Sequence, residues 1–138
     1  MTTITKSYLK DLTYRVNGAA IEVHRHLGPG LLESVYHHFL CLELALRGIE
    51  FKREYSIVVN YKGHQTNTRL RCDLLVEDVL VVELKSAEAI HPIHEAQVLT
   101  YINLLKVPKG VIYNFNVVNL YNDGQRTLVN RHFLEIPE

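Results

Sequence analysis

Arg71-Cys72-Asp73-Leu74-Leu75-Val76, then Glu77-Asp78, then Val79-Leu80-Val81-Val82-Glu83-Leu84-Lys85 is the stretch on which the fold turns. Two short apolar runs separated by a polar pair read as the strands of a hairpin. The second run is apolar until it ends in an acid and a base separated by one leucine. Side chains two apart on a strand share a face, so Glu83 and Lys85 are expected to project together while Leu84 turns into the core. With Asp73 on the preceding strand, the set is a minimal kit for holding Mg²⁺ against a phosphate.

The loop decides whether that kit can assemble. If Glu77-Asp78 is a two-residue loop, Val76 faces Val79 and Asp73 lies opposite Val82, which turns Asp73 and Glu83 to opposite sides. A shared site requires an odd loop count or a bulge. The expected solution is a three-residue loop, Val76 to Asp78, with Asp78 in the left-handed region that Asp tolerates. That register sets Asp73 diagonal to Glu83.

Outward from the hairpin, apolar spacing predicts a helix from about Ser7 to Leu27, with Leu9, Leu12, Val16, Ala19, Ala20 and Val23 on its inner face. Its last turn, His24-Arg25-His26, precedes the breaker Gly28-Pro29. A second helix is expected from about Leu31 to Arg47, with Leu32, Val35, Phe39, Leu42 and Leu46 as the core stripe. Phe51 to Tyr61 reads as strand and Lys62-Gly63-His64 as a turn. A third helix should run from about Pro92 to Lys106, with Pro92 in its first turn. Strands are expected at Val111 to Phe115, Val117 to Tyr121 and Arg126 to Phe133, the last two joined by a turn at Asn122-Asp123-Gly124. The order is α-α-β-β-β-α-β-β in one domain over residues 1–138, a mixed sheet flanked by helices.

The composition, 47% hydrophobic and 22% charged, is that of a soluble globular chain. No apolar run approaches a membrane span, and MTTITKSYLK at the start has no signal-peptide core, so the expectation is a cytoplasmic protein without membrane contact. Cys41 and Cys72 are expected as buried free thiols. Fifteen basic and 15 acidic residues cancel, so any contact with nucleic acid should be short, local or helped by a partner.

Taken alone, Asp73 with Glu83-Leu84-Lys85 is also compatible with a cross-strand ion pair on a wet face. Glu33 and Tyr36 share one side of the second helix, and Gln97 and Tyr101 form an i,i+4 pair on the third. Arg71, two residues before Asp73, is a candidate phosphate contact or a solvated arginine. His91-x-x-His94 could begin a zinc site, but position 98 is Val where a zinc-protease motif needs its second His. His91 and His94 are better placed as rim residues near the acids. There is neither a phosphate-binding Gly-rich loop with its lysine nor a serine elbow.

Gly-Pro-Gly-Leu-Leu-Glu-Ser-Val-Tyr (28–36), Arg71-Cys72-Asp73-Leu74-Leu75-Val76, Val82-Glu83-Leu84-Lys85 and His94-Glu95-Ala96-Gln97-Val98-Leu99-Thr100-Tyr101, in that order, resemble the GxxExxY protein family. That family is grouped with the PD-(D/E)XK nuclease-like superfamily, and the likeness extends over nearly the whole chain. It implies a restriction-endonuclease-like core, αβββαβ, with an additional N-terminal helix. It also implies a metal-dependent nuclease acting on phosphodiester bonds, with Glu33, Asp73, Glu83, Lys85 and Gln97 in the catalytic set. Cys72 stands where the superfamily's name has proline.

On that resemblance Asp73, Glu83 and the Leu84 carbonyl would bind Mg²⁺ or Mn²⁺, and Glu33 would complete a second metal position or hold a metal-bound water. Lys85 would position the metal-bound water or steady developing negative charge, Gln97 would orient Lys85 or a phosphate, and Tyr36, Arg71, His94 and Tyr101 would support or touch substrate. The expected partner is nucleic acid, DNA ahead of RNA, reached directly or through a protein. The alternative is a catalytically silent subunit of the same fold that binds nucleic acid or a protein. Oligomeric state is left open by the sequence.

Overall fold

The computed structural model describes residues 4–66 and 70–138; Met1 to Thr3, part of the stretch read for a leader, lie outside them. Helix α1 (Lys6–Leu27) starts at Thr5, whose side chain accepts the Tyr8 N–H, and stops at Gly28, whose φ of 73° suits a residue without Cβ. Its six expected inward positions are all buried, joined by Thr13 and His24. Helix α2 (Glu33–Leu46) follows. Here the expected stripe is the wrong face: Tyr36, Leu40, Cys41 and Leu44 are buried, whereas Leu32, Phe39, Leu42 and Leu46 are exposed. Helix α2 carries two apolar stripes, and spacing alone cannot choose between them.

Strand β1 (Phe51–Ile57), the small hairpin β2 (Asn60–Tyr61) and β3 (His64–Gln65), β4 (Leu70–Val76), β5 (Leu80–Lys85), helix α3 (Pro92–Leu105) and β6 (Lys109–Asn114) come next. The tail departs from expectation. Val117 to Tyr121 forms no strand; Asn119 instead caps the short helix α4 (Leu120–Asp123). Strand β7 is shorter than expected (Gln125–Val129), because Asn130 caps helix α5 (Arg131–Glu135). Asn122-Asp123-Gly124 therefore closes a helix and does not turn a hairpin.

The main sheet has the order β1-β4-β5-β6-β7, antiparallel except for the parallel pair β5–β6 that α3 connects. Helices α1 and α2 cover one face and α3 the other, each with its own apolar layer. The two central strands are buried on both faces, which explains the unbroken run Val79 to Val82. This is a mixed α/β sheet flanked by helices with a leading helix, the restriction-endonuclease-like architecture. No described helix is long and apolar enough to cross a membrane. Both cysteines are buried and free.

The loop condition is met by an odd count, one residue later than expected. Val76 pairs with Leu80, so the loop is Glu77-Asp78-Val79, and both Glu77 (φ 50°) and Asp78 (φ 59°) are left-handed. Continued from Leu74–Val82, that register sets Asp73 directly opposite Glu83 and not diagonal to it.

A second irregularity lies beside it. Leu70 and Cys72 pack on the α3 side, whereas Leu74 and Val76 pack on the α1/α2 side. Tyr55 and Ile57 likewise pack on the α3 side and Phe51 on the other. Alternation therefore switches faces in both strands across Glu54 and Asp73, where Glu54 adopts φ 46°. Pairing of Arg53 with Leu74 and of Tyr55 with Cys72 keeps one register, so no bulge is involved. Because of the switch, the two-apart rule does not carry Arg71 onto the face of Asp73.

Candidate active site

The ladder between β4 and β5 ends at Leu74–Val82, and two carboxylates take over where it stops. The Asp73 N–H donates to Glu83 Oε1 at 2.9 Å, and the Leu84 N–H donates to Asp73 Oδ2 at 2.8 Å. Each acid thus satisfies a backbone donor of the opposite strand, a clasp that fixes both carboxyl groups at the carboxyl end of β5. Leu84 is fully buried against the α1/α2 layer, as its place between Glu83 and Lys85 requires.

Glu83 is only 5% exposed. Burial first, and the charge of Asp73 second, raise its pKa to about 8, against the Asp73 N–H and Lys85, which favour the ionised form. The same negative centre reaches its neighbours. Burial and then Asp73 raise Glu33, with Lys85 and His37 opposing. Burial, then Glu83 and Asp73, push the Cys72 thiol up to about 12 and raise the Tyr101 hydroxyl. Three surrounding groups therefore favour their protonated forms around one concentrated negative charge.

Helix α2 reaches the site from one side. Tyr36 does not: it is buried, stacked on Phe115 with ring centroids 4.5 Å apart. Its hydroxyl donates to the Gly28 carbonyl at 2.5 Å and accepts the Leu31 N–H at 3.1 Å. It therefore clamps the loop that delivers Glu33, a job set by the Gly28–Leu31 backbone. Ser86 Oγ donates to the Leu31 carbonyl at 2.5 Å, tying that loop to the end of β5. Glu33 itself is exposed and lines an open hollow with His37, Arg53, Glu54 and Asp73.

The hollow holds residues that sequence reading missed. His37 Nε2 lies 3.3 Å from the Asp73 carbonyl. The available signal was its i,i+4 spacing from Glu33; Tyr36, at i+3, points to the core. Arg53 and Glu54 carried no signal, since they reach the site through the face switch in β1. On the α3 side, Lys85 lines a second hollow with His94, Gln97 and Thr100. His94 Nδ1 accepts the His91 N–H at 3.1 Å, and burial followed by the Lys85 charge lowers its pKa. Gln97 is exposed in this hollow and Tyr101 is buried one turn on. Arg71 is exposed on β4. Asn114, fully buried at the end of β6, grips the Ala87 N–H and carbonyl at 3.1 Å each and fixes the chain just past Lys85.

Over residues 10–127 the chain matches the model of a known family, the PD-(D/E)XK nuclease superfamily. The chain belongs to that superfamily. Its members typically depend on a divalent metal and act on nucleic acid. Among curated proteins none matches. A solved structure titled "Crystal structure of SSO0001" is similar, with 20% identity and a TM-score of 0.48 over 76% of this chain and 50% of that one. The chain thus spans about half the length of that protein.

Among the described residues no three His, Cys, Asp or Glu side chains are gathered into a cage. Mg²⁺ rarely uses such a cage: one or two carboxylates, with waters and substrate phosphate, are its usual shell. Two hard-oxygen acids held together by backbone donors, one of them made less acidic by burial and then by the charge of the other, fit a cation that would relieve their repulsion.

Proposed function

We propose that the chain is a metal-dependent nuclease of the GxxExxY branch of the superfamily, hydrolysing phosphodiester bonds of DNA ahead of RNA. The observation that carries this reading is the Asp73–Glu83 clasp beside Lys85: a buried acid held against a half-buried one, with its pKa pushed up, at the end of a central strand. Asp73 and Glu83, with the Leu84 carbonyl, would hold Mg²⁺ or Mn²⁺. The bound ion supplies Lewis acidity and a more acidic water.

The remaining work falls to the chain's own groups. Lys85 offers its ammonium to the phosphoryl oxygens as negative charge builds on them. Gln97, in the same hollow, orients the lysine or a neighbouring phosphate. Glu33 faces the site from α2 and takes a proton or holds a water, and its raised pKa suits that exchange. A strand of nucleic acid lying across the two hollows would meet Arg53 and His37 on one side and His94 on the other. The net charge of zero fits a short footprint.

Single- and double-stranded DNA and RNA incubated with Mn²⁺ or Mg²⁺ provide the test. Cutting that Glu83→Gln and Lys85→Ala each reduce at least ~100-fold without unfolding supports the reading. Clean protein that cuts none of the four, or variants that cut as well as the wild type, contradicts it. Binding without cutting would favour the silent subunit of the same fold.

A further inference from the structure

Helix α2 shows the solvent an apolar stripe of unusual regularity. Leu32, Val35, Phe39, Leu42 and Leu46 are spaced three, four, three and four residues apart, the repeat that packs helix against helix. The helix's other stripe already serves the core, so this one is surplus to folding. Leu32 is 74% exposed, Phe39 39%, Leu42 49% and Leu46 73%. Beside it, α1 contributes Val23 and Leu27 to the floor of a groove of about 240 Å³ between the two helices. Isolated exposed apolar residues are ordinary; a row of them along a groove is an interaction surface.

We propose that this surface pairs with its own copy, α2 packing on α2 of a second chain to form a dimer. The stripe is both receptor and ligand. A surface that needs a heptad-spaced apolar helix presents one itself, as a two-fold contact requires. Charge points the same way. The rim acids are already paired within the chain: Glu22 with Arg25 at 2.7 Å, and Glu43 with Arg47 at 2.7 Å. Such a rim repels no copy and offers no field with which to select an acidic or basic partner.

The exposed stripe with Leu31 presents roughly 500 Å² per chain, so a symmetric pair that covers all of it buries on the order of 1,000 Å², the lower bound for a specific interface. Contact along α1 adds to it. Glu33 begins α2 at one end of the stripe, and none of the paired side chains belongs to the acid–lysine centre. The dimer therefore stands or falls independently of the chemistry proposed there.

Sedimentation equilibrium from micromolar to hundred-micromolar protein tests it. The expected result is a mass twice the 15.9 kDa of the chain. The double substitution Leu42→Asp with Leu46→Asp should weaken the dimer at least ~100-fold. Leu46→Asp alone, at a mostly exposed position, should weaken it measurably with an unchanged circular dichroism spectrum if the double variant folds poorly. Val118→Asp, at an equally apolar position 92% exposed elsewhere, should leave it intact. Wild-type protein that stays monomeric throughout overturns the proposal, including the outcome in which it instead captures an apolar helix of another protein. So does a Leu46→Asp variant that dimerises as tightly as the wild type.

Discussion

Replacing Glu83 by Gln should make the metal-free protein more stable, by an amount that grows with pH. The side chain is nearly fully buried beside Asp73, and its pKa rises from the ordinary 4.5 to about 8. A raised pKa means that the folded state holds a proton which the unfolded chain gives up. The associated stability is complete below pH 4.5 and is lost as pH climbs through about 8. With ~1.4 kcal/mol per pH unit, the loss relative to acid conditions is about 3 kcal/mol at neutral pH and approaches about 5 kcal/mol above pH 8. Gln keeps the oxygen that accepts the Asp73 N–H, and its amide can donate towards the Asp73 carboxylate where the protonated acid would.

Urea unfolding at pH 5, 7 and 8.5 in chelator reads the difference directly. The two proteins should be nearly equal at pH 5 and diverge in favour of Gln as pH rises. Divalent metal should narrow the gap by binding the wild type, since ligand bound only to the folded state adds stability. Parallel pH profiles, or a wild type that gains on the variant with rising pH, would refute the account of a buried, mutually repelling acid pair.

Other outcomes follow from the packing. Tyr36→Phe keeps the stack on Phe115 but removes the hydroxyl that bonds the part-buried Gly28 carbonyl and Leu31 N–H, and urea unfolding should show a loss of about 0.5–1.5 kcal/mol. Gly110→Ala would set a Cβ 2.5 Å from Val98 Cγ1 and 3.2 Å from Ile102 Cγ2; forcing α3 off β6 should destabilise by about 1–3 kcal/mol in the same assay. Cys72, buried with its thiol pushed up to about 12, should resist a disulfide-forming thiol reagent at pH 8 until the protein unfolds. Rapid labelling of Cys72 in folded protein would show that the strand pair is open.

Much of this was legible in the chain because local and global signals agreed. The inner face of α1 follows from one apolar stripe, and the central position of β5 from a run apolar on both faces. The requirement for an odd loop between β4 and β5 followed from period two alone, although its placement at Glu77–Val79 did not. Where two signals competed, spacing was silent. Helix α2 has two stripes, and only the sheet decides that Tyr36, Leu40, Cys41 and Leu44 go inward. Asn119 and Asn130 are helix caps inside segments whose valines and leucines read as strand. The face switch at Glu54 and Asp73 involves no glycine or proline, so nothing local announces it, yet it brings Arg53 and Glu54 to the acids.

The most direct test of the site is a crystal of the wild-type protein soaked in Mn²⁺ and measured for anomalous scattering. A peak within coordination distance of both Asp73 and Glu83, absent from the Glu83→Gln protein, is the predicted result. Ordered density for both carboxylates with no peak at saturating Mn²⁺, or a peak bound elsewhere, would contradict the assignment of Asp73 and Glu83 as the metal-holding pair.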